Sequence, residues 1–144
     1  MPVRIIAETD DIIAVNKPSA LPVHACGAYR YNTLETILRK ENGLQEFYFI
    51  HRLDRVTSGV MLLAKRKEIA SELSAELQQG GCHKVYLAIA EGNCFERINL
   101  DGVRYVNENG MIISRNIAVV SQKDGIMKVD EKEGKVIVSF ISCL

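Results

Sequence analysis

The segment His51-Arg52-Leu53-Asp54-Arg55-Val56-Thr57-Ser58-Gly59 concentrates the reactive chemistry of this sequence. One carboxylate stands between two arginines, after an apolar run and before a turn-forming triplet. Neighbouring guanidinium groups favour the ionised form of a carboxylate, so Asp54 is expected to be charged and held in one orientation. A fixed carboxylate at a strand end suits nucleophilic attack or proton abstraction. The same spacing also suits a turn aspartate that bonds nearby amides and pairs with arginine for structure. The residue types alone leave both readings open.

Charge clusters around this segment. Between His51 and Lys67, Arg52, Arg55, Lys65, Arg66 and Lys67 face only Asp54, a net of plus four. Such a cluster could contact phosphates and would make binding salt-dependent; the alternative is a solvated turn between a strand and a helix. His24-Ala25-Cys26 and Cys82-His83 offer four metal-ligating side chains, but neither is a C-x-x-C pair and their spacing fits no common zinc site, so no metal is expected. The H-x-E and P-C-x-x-C pair of a nucleobase deaminase is absent, as is any Gly-rich phosphate loop. Cys26 lies in a loop without an adjacent base and reads as an ordinary thiol.

The elements that must position these residues follow from patterning. Val3–Ala7 and Ile12–Val15 are β-branched runs split by Thr9-Asp10-Asp11, a hairpin. Lys17-Pro18-Ser19 ends the second strand, because proline cannot continue a ladder. An irregular loop runs from Ala20 to Tyr31. Asn32 is expected to cap a helix, with Glu35 three residues on and Leu34, Ile37 and Leu38 on one face, stopping near Gly43. Phe47–Leu53 is an apolar run interrupted by His51 and Arg52, and Val60–Ala64 a buried strand. Ile69, Leu73 and Leu77 place an amphipathic helix over Lys67–Gln79, ended by Gly80-Gly81. Lys84–Ala90 is expected to be a strand. Further strands are expected within Arg97–Val106, Met111–Val120, Ile126–Val129 and Lys135–Cys143. Strands with only two clear helices predict an α+β fold, its sheet mixed or mainly antiparallel and flanked by helices.

Composition bounds the class. The chain has 144 residues, 47% hydrophobic and 25% charged, with 18 basic and 18 acidic side chains. These values exclude a disordered tail, a collagen-like fibre or a linker, and suit one domain over 1–144. No apolar run approaches the roughly 18 residues of a spanning helix, so no membrane partner is expected. Cys26, Cys82, Cys94 and Cys143 follow no apolar signal core and are expected to be reduced, placing the chain inside a cell without choosing between cytoplasm, nucleus and mitochondrion.

HRLDRVTSG resembles the H-R-L-D-x-x-T-S-G signature of the RluA-type pseudouridine synthase family, at all seven of its fixed positions. Asn16-Lys17-Pro18 with Pro22-Val23-His24 is similar to the family's early lysine-proline loop, and Lys84-Val85-Tyr86-Leu87-Ala88 to its later K-x-Y-x-A segment. The ALPVHACG stretch is most similar to eukaryotic members of the RPUSD and riboflavin-pathway deaminase-synthase groups. The resemblance implies a pseudouridine synthase catalytic fold. It also implies isomerisation of uridine to pseudouridine in tRNA or rRNA by a monomer without cofactor or metal. It makes Asp54 the essential carboxylate, Arg52 its partner and a wedge into the RNA, and Tyr86 a stacking group on the flipped uracil. Arg55, Lys65, Arg66 and Lys67 would contact RNA. His51, Thr57, Ser58, Gly59, Lys17 and Pro18 complete the motifs.

The family's last signature, a basic residue near a G-R-x-H-Q-I-R run, does not occur. In relatives it follows a Gly-Lys strand matching Gly134-Lys135, so the chain is expected to be the N-terminal portion of the catalytic domain, incomplete at its C-terminus. The alternative is an inactive truncated remnant serving as an RNA-binding module.

Overall fold

In β1 (Arg4–Glu8) and β2 (Ile12–Lys17) the β-branched runs pair antiparallel, with Ile5 opposite Val15 and Glu8 opposite Ile13. Thr9 makes the turn: its Oγ1 accepts from the Asp11 and Ile12 amides at 3.3 and 3.0 Å, so a side chain stands in for ladder bonds. The computed structural model describes residues 2–89, 91, 102–107, 110–121 and 126–142. They fall into two compact units, Met1–Val85 and Tyr86–Leu144.

The first unit also contains α1 (Leu34–Lys40), β3 (Tyr48–Phe49), β4 (Gly59–Ala64) and α2 (Lys67–Gln78). Its sheet has the order β1-β2-β4-β3, antiparallel throughout, with Ile12 opposite Ala64 at one end of β4 and Lys17 opposite Gly59 at the other. Alternation sends Ile13 and Val15 of β2, and Met61 and Leu63 of β4, to one face. There they join Leu34 and Leu38 of α1, all six at most 1% exposed. Ile50 and Ala64 form a second cluster with Ala70 of α2, with Leu62, Ile69, Leu73 and Leu77 packed around it.

Burial of these apolar faces, at about 25 cal/mol per Å² removed from water, is the main favourable term. Asn42 fastens the chain start to this core: its Oδ1 accepts from the Val3 amide at 3.0 Å and its Nδ2 donates to the Val3 carbonyl at 2.8 Å.

The second unit contains β5 (Val103–Asn107), β6 (Gly110–Ser121), β7 (Ile126–Val129) and β8 (Lys135–Ser142). The long β6 pairs antiparallel with all three others. Between β7 and β8, Asp130 accepts from the Lys132 and Glu133 amides and pairs with Lys128 at 2.7 Å. The Lys128 hydrogen bond, aided by those amides, holds its carboxyl down at about 2.

The α+β, mainly antiparallel reading holds, the described residues forming two four-stranded antiparallel sheets. Three local expectations are corrected. The α1 cap is Thr33, not Asn32: the backbone is still extended at Thr33, whose Oγ1 accepts from the Thr36 amide at 3.2 Å. Glu35 turns outward to His24 and Arg39 instead of closing a capping box. Residues 84–89 form no strand, and Val85 and Ile89 are almost fully exposed; an alternating apolar pattern has no ladder without a partner strand. The helix stop at Gly43 is as expected, with φ +73° there and the Leu44 amide reaching the Leu38 carbonyl at 3.0 Å. Cys26 and Cys82 are exposed free thiols, while Cys94, Cys143 and most of Arg97–Gly102 lie outside the described residues. Among the described residues no helix is long and apolar enough to cross a membrane.

Candidate active site

Asp54 stands on an exposed turn just ahead of β4. Leu53 anchors the turn in the core at 8% exposure, and the Thr57 amide donates to the Asp54 carbonyl at 3.1 Å. Gly59 then opens β4 at φ +133°, a conformation side-chain-bearing residues rarely adopt. The TSG triplet therefore turns the chain from the carboxylate into the sheet.

Behind the turn lies Lys17, fully buried on the face of β2 that also carries Ile13 and Val15. Its Nζ donates to the carbonyls of Leu21 at 2.7 Å, Pro18 at 3.0 Å and Arg55 at 3.2 Å. An ammonium has three protons, so all are used and nothing is left to desolvate unpaired. Burial nonetheless lowers the Lys17 pKa, and the negative charge of Asp54 acts in the opposite direction. The ammonium thus ties the lysine-proline loop to the turn that carries Asp54 and supplies a positive charge behind it. Ser19 adds a second tie, donating its hydroxyl to the Val56 carbonyl at 2.6 Å. Between these ties Ala20 is held at φ 63°, a strained position for a residue with a Cβ.

His51 fixes the other approach to the turn. Its Nε2 accepts from the Leu62 amide at 3.2 Å, so the ring proton belongs on Nδ1. Burial lowers the His51 pKa most; a backbone hydrogen bond at Arg52 opposes that and the Lys84 charge adds to it.

Arg52, Leu53 and Arg55 line one side of a cavity of about 340 Å³, and Pro22–Cys26 with Tyr29 line the other. Cys26 and Tyr29 exchange backbone hydrogen bonds of 3.0 and 2.9 Å around Gly27 at φ +54°, giving the loop a defined fold. Arg55 directs its guanidinium at Tyr29, 3.4 Å from the hydroxyl and 5.7 Å from the ring centroid. The expected clamp of two arginines on Asp54 is thus replaced by a buried lysine behind the turn and arginines facing the cavity. A cavity of this size lined by two guanidinium-bearing residues can receive a small anionic or hydrogen-bonding group, and Asp54 lies between two of its lining residues, Leu53 and Arg55, in sequence.

The charge run divides in space. Lys65 pairs with Glu8 at 2.7 Å and Arg66 pairs with Asp11, both at the hairpin end of β4. Lys67 begins α2. Asp54 precedes the opposite end of β4, about 17 Å away along a six-residue strand. Arg52 and Arg55 therefore stay with the carboxylate, and Lys65, Arg66 and Lys67 do not. Pro18 contributes its carbonyl to Lys17, Ser58 is exposed, and Tyr86 falls in the second unit at 62% exposure. Composition gave no hint that Lys17 would be buried, yet its parity with Ile13 and Val15 was visible as a period of two.

Comparison with known proteins places these features in context. The sequence model of the RNA pseudouridylate synthase family matches residues 11–144. Human pseudouridylate synthase RPUSD2 is 36% identical over 131 residues, covering 91% of this chain and 22% of that protein. The mitochondrial tRNA pseudouridine(32) synthase of Saccharomyces cerevisiae is 30% identical over 141 residues, covering 93% of this chain and 27% of that protein. Human RNA pseudouridylate synthase domain containing 1 has a similar fold, with a TM-score of 0.55 at 20% identity over 96% of this chain and 49% of that one. The chain thus spans about a quarter of the length of these curated relatives. With the signature segment on the turn before β4 and the family match running over nearly its whole length, the chain belongs to the RNA pseudouridylate synthase family.

Proposed function

We propose that this protein isomerises uridine to pseudouridine in structured RNA, tRNA or rRNA, with Asp54 as the essential carboxylate. The observation that carries the reading is Asp54 on an exposed turn, with the Lys17 ammonium behind that turn and the neighbouring Arg52, Leu53 and Arg55 lining a cavity. The names of the yeast relative and of tRNA pseudouridine synthase C of Haemophilus ducreyi support tRNA as a substrate class.

The reaction breaks the C1′–N1 bond, turns the uracil and joins C1′ to C5. The hydrogen on C5 leaves to solvent and N1 gains a proton. Atoms and electrons balance within the nucleotide, so neither a redox partner nor a triphosphate is required. A stacked uridine hides its glycosidic bond and must first be extruded. In this reading Arg52 fills the vacated place in the RNA and Arg55 meets the adjacent phosphate. Asp54 attacks the nucleotide covalently or takes a sugar proton.

Tritium release from RNA carrying 5-tritiated uridine tests this. Asp54→Ala is expected to lower release by roughly 10⁴-fold or more. Its melting temperature should stay near that of the unaltered protein, because the carboxylate is exposed. Equal release with and without Asp54 would overturn the assignment.

A further inference from the structure

A second depression lies beside the first, of about 480 Å³, and His24 lines both. The first volume is within the range of about 300–1,000 Å³ usual for ligand sites, and the second is a shallow, open groove. The second is walled by Tyr48 and Phe49 of β3, and by Lys67, Ser71 and Ser74 of α2. The His24 ring meets Phe49 edge-on with centroids 4.7 Å apart, and Phe49 meets Phe47 edge-on at 5.4 Å. Arg39 closes this ladder, 4.8 Å from the Phe47 centroid. Glu35, also at the wall, is occupied with Arg39 and His24, each at 3.4 Å. About half of the His24 side chain is nevertheless open to solvent, and Tyr48 is 38% exposed.

Aromatic faces beside the Lys67 ammonium, which has no ion-pair partner among the described residues, suit a nucleobase with its phosphate. Every base has a π-face, so such a platform binds without reading sequence. An extruded uridine in the first cavity would leave its chain neighbour next to His24, the wall that the two cavities share.

We infer that the groove between β3 and α2 holds one unpaired nucleotide next to the target uridine, its base against His24 and Tyr48 and its phosphate facing Lys67. This rests on the proposed RNA-uridine reading and adds to it a requirement for single-stranded RNA on one side of the target. It gives Lys67 a role despite its distance from Asp54, and makes His24 a divider between target and neighbour.

The test uses a short fluorescein-labelled single-stranded RNA with one central uridine among adenosines, read by fluorescence anisotropy. Replacing one flanking adenosine by an abasic residue should weaken binding about tenfold at one neighbour of the uridine and not at the other. His24→Ala with Tyr48→Ala should weaken the intact RNA by a similar factor and make that abasic residue neutral. The probe is altered rather than the protein in the first arm, so misfolding cannot imitate the result. Binding indifferent to either flanking base overturns the groove assignment and leaves the uridine reading standing, with a protein partner as the groove's occupant. Equal abasic losses in both proteins likewise overturn it. Failure to bind any of the RNAs removes both readings.

Discussion

The two ends of β4 use basic residues in opposite ways. At the Gly59 end, Lys17 is sealed from water and spends all three protons on carbonyls of a loop and a turn. At the Ala64 end, Lys65 and Arg66 meet Glu8 and Asp11 in solvent. A buried ammonium is costly unless it is fully bonded, and breaking such an arrangement is more damaging than never having built it. An exposed pair contributes little, because water and salt compete for both partners. Charges adjacent in sequence are therefore not one patch. The end that carries Asp54 is organised by backbone carbonyls converging on one cation, whereas the basic side chains at the other end pair with carboxylates.

The same substitution at both ends gives the sharpest contrast. Lys17→Met keeps an unbranched apolar stem but lacks the terminal ammonium and strands three carbonyls, and should cost about 2–4 kcal/mol by urea denaturation. A loss below about 1 kcal/mol would mean that loop and turn hold each other without it. Next in size is Gly59→Ala. Nothing lies within 4 Å of the added methyl, so any loss reports backbone strain at φ +133° alone. About 1–3 kcal/mol is expected, and a neutral variant would show that the turn relaxes freely.

His51 gives a smaller, pH-dependent effect. Its folded pKa lies below 6.5, so the unfolded chain takes up the proton first. Its contribution to stability is complete above pH 6.5 and is lost as pH falls through the folded value. Protonation also removes the acceptor used by the Leu62 amide. Denaturation midpoints between pH 7.5 and 5 should decline, and His51→Phe should flatten that part of the curve. An equal slope in the variant would assign the dependence elsewhere. Smallest of all, Lys65→Met should change stability by less than about 0.5 kcal/mol, and a larger loss would dissolve the contrast between the two ends.

Much of this was legible in the residues. The apolar runs Ile12–Val15 and Val60–Ala64 and the four-residue spacing of Ile69, Leu73 and Leu77 placed two strands and α2 nearly to the residue. The signature segment located the turn. Asn32 misled because a capping pattern says which residues can cap, while the backbone at Thr33 decides which one does. Lys84–Ala90 misled because strand propensity is realised only against a partner. The Lys17 acceptors were illegible for a different reason: Arg55 is 38 positions away and offers a carbonyl, which no side-chain pattern reveals. The split of the charge run was hidden likewise, since only the extended length of β4 separates its halves.

Lys17 lies on the same face of β2 as Ile13 and Val15, opposite Gly59 of β4. A slip of β2 by one residue would turn all three outward together. The hydrophobic core and the cradle behind Asp54 are thus one register decision, and a chain cannot complete the first while missing the second. Variants that weaken this sheet should accordingly lower the number of working molecules and leave the behaviour of each surviving molecule unchanged.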